Sequence, residues 1–350
     1  MTEILFMGGF LLLVALLLTL DLGVFHKKDH VISFKEATIW TCVWIGTALL
    51  FCLFIYFRAE WIHGIENMEQ LIAINAKHSH NLALDGLSFE EGVKLYRNAM
   101  SLEYLTGYLV EKSLSIDNIF VMIMIFMAFN VEKIYYHRVL FYGILGAIVL
   151  RFIFIFAAAA LIQKFHWILI LFGLVLIFTG VKMFLQRNKK EDVDAEHHPV
   201  VKFLTKYNLA TSQFHHHDFF LKSKETGKWL ATPLFVVLLI VEFSDVIFAF
   251  DSIPAIFSIT QDPYIVFFSN IFAILGLRSL FFMLESVMDK FHYLKIGLAV
   301  LLTFIGVKML LPDLCGIHIG TNTSLLVILG VLIVSIVASI FFPPKTEKTN

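Results

Sequence analysis

Two stretches of this 350-residue chain place carboxylates inside apolar sequence, with matching spacing. The first carries Glu103, Glu111, Lys112, Asp117 and Asn118; the second carries Glu242, Asp245, Asp251, Ser252 and Pro254. Both contain an acid, five residues, an aspartate and a polar neighbour: Glu111-x5-Asp117-Asn118 and Asp245-x5-Asp251-Ser252. A charged side chain at the centre of a bilayer costs about 3 kcal/mol even on the mildest scale. Such groups are expected to be protonated, paired, or holding a cation. Carboxylate, amide, hydroxyl and carbonyl oxygens suit hard cations such as Mg²⁺, Ca²⁺ and Mn²⁺, and the donor types do not choose among these. Neither stretch contains Cys or His, so Zn²⁺, Cu⁺ and Ni²⁺ are poorly served. The candidate metal ligands are Glu111, Asp117, Asn118, Glu242, Asp245 and Asp251, with Ser252 and Glu103 in support.

The competing reading makes these acids helix glue, paired with Lys112, Arg151 and Arg278. Two acidic clusters at matching positions favour ion translocation. Arg151 and Arg278 either balance the carboxylates when no metal is bound or form structural ion pairs. Asp21, beside a basic loop, is expected to be solvated at the interface, a vestibule ligand being the alternative.

The elements that must position these residues are transmembrane helices. Hydrophobic residues make up 59% of the chain and charged residues 16%, with a mean hydropathy of +0.81, outside the range of soluble domains. The apolar blocks are each about 20 residues long, enough for one crossing. They predict an all-α polytopic membrane protein with about nine helices, over 4–25, 36–57, 103–129, 138–163, 165–185, 233–257, 264–285, 291–311 and 323–342. On a regular helix, residues six apart lie about 120° apart. Convergence of the acids therefore demands helices unwound near Ser113-Leu114-Ser115 and Pro254, or a crossing of the two acidic helices.

The chain also repeats itself. Phe165–Leu185 aligns without gaps on Phe291–Leu311, and about ten of the 21 positions are identical, including the FH and GVKM matches. Arg151 falls opposite Arg278, and the acidic motifs correspond after a shift of several residues. Helices 3–5 thus match helices 6–8. A three-helix unit crosses an odd number of times, so the second copy is inverted, the plan of secondary transporters with a midplane site. Repeat 1 spans 103–185 and repeat 2 spans 233–311 of one membrane domain over 1–350. A cytoplasmic His-rich loop over 186–232 separates them, and 312–350 holds the last helix and a tail.

Positive charge sets the orientation. With the N-terminus outside, the inner loops hold Lys27, Lys28, Lys35, Lys133, Arg138, the basic residues of 186–232, Lys290, Lys345 and Lys348. The outer side then holds only Arg58, Lys77, Lys94, Arg97 and Lys164. The first helix lacks a cationic leader and a small-residue cleavage site, and is expected to be retained. The outer segment 58–102, with His63, His78 and His80, is expected to be a solvated loop with an amphipathic interfacial helix over Phe89–Met100. A metal-release funnel is its alternative. The tracts His197-His198 and His215–His217 are expected to sit in a hydrophilic connector, a metal or pH sensor being the alternative. Cys42, Cys52 and Cys315 have no motif spacing, and no phosphate loop, CxxC or nucleotide fingerprint is present.

The stretches Thr106–Val121 and Val241–Phe257 resemble the signatures of the TerC family of bacterial membrane proteins, as do Ser269–Arg278 and Leu20–His26. The likeness covers roughly residues 10–312. It implies the LysE superfamily, a multi-pass protein of the bacterial inner membrane and no enzymatic activity or tightly bound cofactor. It further implies Mn²⁺ as the exported substrate ahead of Ca²⁺ or Mg²⁺, with tellurite resistance as the historical label. Ser244 and Val246 stand where relatives often carry Thr and Leu. Two other functions stay open: export of a basic amino acid, and a membrane scaffold that supports metalation of exported proteins beside the secretion machinery. Lipid and the divalent cation are the expected partners, nucleic acid is not, and the oligomeric state is open.

Overall fold

A computed structural model describes residues 2–25, 32–165, 167–186, 200–202, 218–222, 229–286 and 293–341. In chain order the elements are α1 (Thr2–Phe25), α2 (Phe34–Arg58), α3 (Glu60–His63), α4 (Met68–Lys77), α5 (Phe89–Ala128), α6 (Lys133–Lys164) and α7 (Trp167–Leu185). A two-stranded antiparallel ribbon follows, β1 (Phe220–Lys222) with β2 (Trp229–Ala231). Then come α8 (Pro233–Phe257), α9 (Pro263–Leu275), α10 (Leu277–Glu285), α11 (Leu294–Cys315) and α12 (Thr321–Phe341). Among the described residues, seven helices are long and apolar enough to cross a membrane, or eight if α9 and α10 form one bent span. α5 is longer still at 40 residues, and its last 18 positions carry Glu111, Lys112 and Asp117. Large apolar side chains cover the outside of the bundle, among them Leu50, Phe178 and Leu326, each about two-thirds exposed or more. Such a surface belongs in lipid. The chain is an all-α polytopic membrane protein.

Side-chain caps start three of the helices that carry polar residues. Ser88 and Glu91 close a capping box on α5, Thr232 caps α8 ahead of Pro233, and Asp262 caps α9 ahead of Pro263. Of the two ways to bring the acids together, unwinding at Ser113–Ser115 and Pro254 is not the one used. α5 runs unbroken from Phe89, so Phe89–Met100 is its first turns and not a separate interfacial helix. Ser113 Oγ donates to Leu109 O one turn back and leaves the helix ladder intact. Pro254 lies one turn from the end of α8, close to where the helix stops in any case. The break falls instead at Gly276, where α9 and α10 meet at 43°. Lys112 Nζ donates to Ala273 O at 3.2 Å, supplying a cationic partner to the carbonyl end of α9.

Two apolar cores stack along the bundle, and the change from one to the other recurs at one level. In α5 the first core ends at Leu114 and the second starts at Ile119; in α6 the change lies between Ala147 and Ile155; in α8 it lies between Val241 and Ala249. Asp117 and Asn118, Arg151, and Glu242 and Asp245 occupy those three gaps. The polar residues thus form a layer between two hydrophobic halves.

α7 and α11 pack antiparallel at unusually short range. A Cβ added to Gly173 would lie 3.1 Å from Gly306 O, and one added to Gly180 would lie 2.8 Å from Ala299 O. Gly173 and Ala299 are 126 positions apart, as are Gly180 and Gly306, the offset that superposes the repeated sequences. The contacts are therefore reciprocal, as a two-fold axis between the helices requires. Small residues are what allow two helices to approach so closely.

Segment 58–102 is folded rather than solvated. It contributes α3, α4 and the first turns of α5, and buries Ile62, His63, Leu71 and His78. His63 hydrogen-bonds both Glu3 and Asp262, so the start of α1, this segment and the α8–α9 link share one end of the bundle. His166, Phe291 and His292 of the repeat, His26, and the His197-His198 and His215–His217 tracts lie outside the described residues.

Candidate metal-binding layer in the helix bundle

Arg151 organises the centre of the polar layer. It projects from α6, is 1% exposed, and donates to Glu111 of α5 and to Asn270 of α9. Its other terminal nitrogen lies 3.4 Å from Asp245 Oδ1 on α8. Asn270 is locked for this role: its Nδ2 donates to Val266 O at 2.9 Å, which turns Oδ1 toward the guanidinium. Arg151 thus ties together four helices.

The acceptors around it are not used up. Glu111 Oε2, Asp245 Oδ2 and Glu242 Oε2 are buried without a hydrogen-bond partner among the described residues. Glu242, Asp245, Arg151, Asn118 and Ser115 line a cavity of about 10 Å³, the scale of a single water. Glu242 reaches it because residue 146 is glycine: a Cβ there would sit 2.0 Å from Glu242 Oε1.

Asp117 and Asp251 occupy a second cavity, of about 170 Å³, together with Asn118, Thr179, Lys182 and Lys295. Thr179 of α7 donates to Asp251 Oδ1 at 2.9 Å. Asn118 lines both cavities and, with Ser252 on the wall of the larger one, joins the two groups. The convergence demanded by the acidic spacing is met by the crossing of α5 and α8, not by unwinding.

The remaining predicted residues sit elsewhere. Arg278 does not face the carboxylate layer. Its Nη2 lies 2.6 Å from Asp21 Oδ2 and also donates to Asp21 O at 3.0 Å, and Nη1 lies 3.0 Å from His137 Nε2. Asp21 is 2% exposed, which corrects the expectation of a solvated interfacial acid; its pairing with an equally buried guanidinium across 257 residues makes that burial tolerable. Glu103 lies at the Glu3 end of the bundle, 3.3 Å from His80 Nδ1, in a recess it shares with Lys308. The sequence alone assigns no role to Asn270, Thr179, Lys182 and Lys295. An asparagine amid Phe and Ile on α9 was the one available signal.

A separate polar cluster lies at the Glu3 end. His63 donates to Glu3 Oε1 and to Asp262 Oδ2, both at 2.8 Å, and its ring centroid lies 5.1 Å from that of His78. Burial disfavours charge on His63, but Asp262 and Glu3 outweigh it and push its pKa up to about 9. Burial pulls His78 the other way, down to about 4, with His63 and His80 adding to the shift against Asp262.

Residues 96–347 match the integral membrane protein TerC family. The chain is 46% identical over 333 residues to an uncharacterized membrane protein of Myxococcus xanthus, covering 95% of this chain and 91% of that one. It is 42% identical over 335 residues to the Alx protein of Photorhabdus laumondii, with 95% and 94% covered. It is 40% identical over 342 residues to Alx of Escherichia coli K12, with 97% and 96% covered. The name of both Alx proteins proposes a membrane-bound redox modulator. No solved structure matches. Likeness of this extent, on a bundle whose acidic helices carry the signature motifs, has one meaning: the chain belongs to the TerC family of integral membrane proteins.

Proposed function

We propose that the protein is a secondary transporter that exports a divalent metal cation, Mn²⁺ first, through the carboxylate layer between its two apolar cores. The observation that carries this reading is the set of buried oxygens around Arg151, several of them without a hydrogen-bond partner among the described residues, at the level where both acidic helices cross. A transporter needs a site that is costly to leave empty and that a cation can complete. The guanidinium of Arg151 fills that role in the present arrangement, so cargo enters only as Arg151 withdraws.

With the N-terminus outside the inner membrane, the cavity of Asp117 and Asp251 opens toward the cytoplasm and receives the ion. Asn118 passes it to Glu111, Asp245 and Glu242, and release follows toward Glu103 at the other end. The carboxylates exchange protons for the ion, since a carboxylate that loses its cation in apolar surroundings binds a proton more tightly. Reciprocal packing of α7 on α11 supports the inverted repeat as the hinge of this exchange.

A second reading, export of a cationic amino acid, draws on one feature: the cavity of about 170 Å³ carries Lys182 and Lys295 beside its aspartates, charges of both signs that a zwitterion needs. A redox role, as the name of the Alx relatives proposes, draws less support, because Cys42 and Cys315 are exposed singly and Cys52 donates to Ser101 O.

The test is Mn²⁺ flux in proteoliposomes, with cellular Mn under Mn stress measured in parallel, for wild type, Asp117→Asn and Asp251→Asn at matched protein levels. Flux in wild type and its loss in both variants is the expected result. Lysine flux without Mn²⁺ flux would replace the cargo, and no flux of either would overturn the transporter reading.

A further inference from the structure

We infer that the Glu3 end of the bundle holds a second metal site, built from His63, His78 and Asp262, that binds one d-block divalent cation through two imidazoles and a carboxylate. One ligand atom from each residue lies within 4.8 Å of the other two, close enough to surround a single ion, and all three residues are buried. The independent sign of a ligand is His78. It is 1% exposed, and neither of its ring nitrogens has a hydrogen-bond partner among the described residues. A buried imidazole with both nitrogens unsatisfied is costly unless something is meant to occupy one of them. Its ring lies beside those of His63 and His80, with centroids 5.1 and 5.9 Å away.

The surroundings are those of a metal site with its second layer in place. Glu3 Oε1 accepts the Nδ1–H of His63 and so aims Nε2 at Asp262, the carboxylate–histidine pairing that orients metal-bound imidazoles. His80 Nε2 lies 3.9 Å from Asp262 Oδ2, and its Nδ1 lies 3.3 Å from Glu103, which holds a fourth donor beside the site. Asp262 caps α9 through Oδ1, to which Tyr264 N donates, while Oδ2 remains the oxygen that faces the histidines.

Nitrogen donors distinguish this site from the all-oxygen layer inside the bundle. Two imidazoles and a carboxylate select Zn²⁺, Fe²⁺, Mn²⁺ or their neighbours over Mg²⁺ and Ca²⁺. The ligands come from three chain segments, the end of α3, the link after α4 and the start of α9. An ion there clamps the α8–α9 link, through which the acidic helix α8 continues, onto the 58–102 segment. The site stands whether or not the protein transports metal.

The experiment uses purified full-length protein in nanodiscs, with Zn²⁺ and Mn²⁺ each as sole probe. Bound metal is measured by equilibrium dialysis for wild type, His78→Gln, His63→Gln, Glu3→Gln and the double variant Asp117→Asn/Asp251→Asn. The expected result is a Zn²⁺ site that His78→Gln and His63→Gln each weaken at least tenfold and that the aspartate double variant retains. Glu3→Gln, which touches no metal, should weaken it roughly tenfold. Electron–nuclear spectroscopy of bound Mn²⁺ should report ¹⁴N coupling that diminishes in His78→Gln, where the His63 imidazole is the nitrogen ligand left. Should His78→Gln or His63→Gln be isolated aggregated, the roughly tenfold weaker Zn²⁺ binding of the milder Glu3→Gln decides in its place, and unchanged affinity there overturns the proposal. Zn²⁺ binding unchanged in His78→Gln, or Mn²⁺ bound with oxygen couplings only, overturns the proposal.

Discussion

Replacing Arg151 by methionine separates a tethered stand-in for cargo from simple helix glue. The guanidinium holds Glu111, Asn270 and Asp245, and both Arg151 and Glu111 are essentially inaccessible, at 1% and 0% exposure. Removing one partner of a buried ion pair destabilises by about 3–5 kcal/mol, because the other charge is left uncompensated. Two carboxylates are left here, so Arg151→Met should lie toward the top of that range without metal. Neutralising the partner as well, in Arg151→Met/Glu111→Gln, should return most of the loss. The diagnostic arm is metal. If Arg151 stands where cargo binds, Mn²⁺ takes its place in the single variant, and a concentration a hundred times the dissociation constant restores about 2.7 kcal/mol. Wild type should gain less, since its own guanidinium competes for the same oxygens. Unfolding free energies from SDS titration in mixed micelles, with and without Mn²⁺, read all four states. Equal Mn²⁺ effects on wild type and Arg151→Met would refute the reasoning and leave Arg151 as a structural tie.

Other substitutions test the remaining parts. Gly146→Ala places a methyl where Glu242 Oε1 now lies, and the flexible end of that side chain gives way rather than the helix; we expect normal yield and a melting point near wild type, but reduced Mn²⁺ flux. Unchanged flux would show that the position of Glu242 is immaterial. Gly180→Val meets backbone and Thr303 at 2.8 Å or less, so it should destabilise the α7–α11 contact by about 1–3 kcal/mol, seen as lower yield and an earlier SDS transition. Asp21→Asn leaves Arg278 buried with a neutral partner and should lower stability by roughly 3 kcal/mol; flux per folded molecule should hold, and a selective loss of flux would return Asp21 to the pathway. Thr179→Val removes the 2.9 Å bond to Asp251 with little change in volume, and should weaken apparent Mn²⁺ affinity in flux assays while leaving stability within about 1 kcal/mol.

The membrane class and the two acidic helices were readable from the sequence because the quantities that decide them are local. A 20-residue apolar run must cross or be buried, and a carboxylate inside it is costly wherever the rest of the chain lies. The glycines of the repeat were visible as pattern, and their purpose is a backbone approach that any Cβ would obstruct.

Which acid meets which cation is a different kind of fact. Arg151 and Arg278 hold equivalent places in the repeat, yet one binds the carboxylate layer and the other binds Asp21, because a neighbouring helix brings a different acid to each. Pro254, one of the places where unwinding was an option, interrupts little because it lies in a last turn, and the bend between helices falls at Gly276. The histidine cluster was hidden most completely: His63 and Asp262 are 199 positions apart, and an aspartate before a proline reads as a helix cap. Patterns of hydropathy declare where the chain must enter the bilayer. Pairings of charge depend on which helices cross at a given depth, and only the packed bundle sets that.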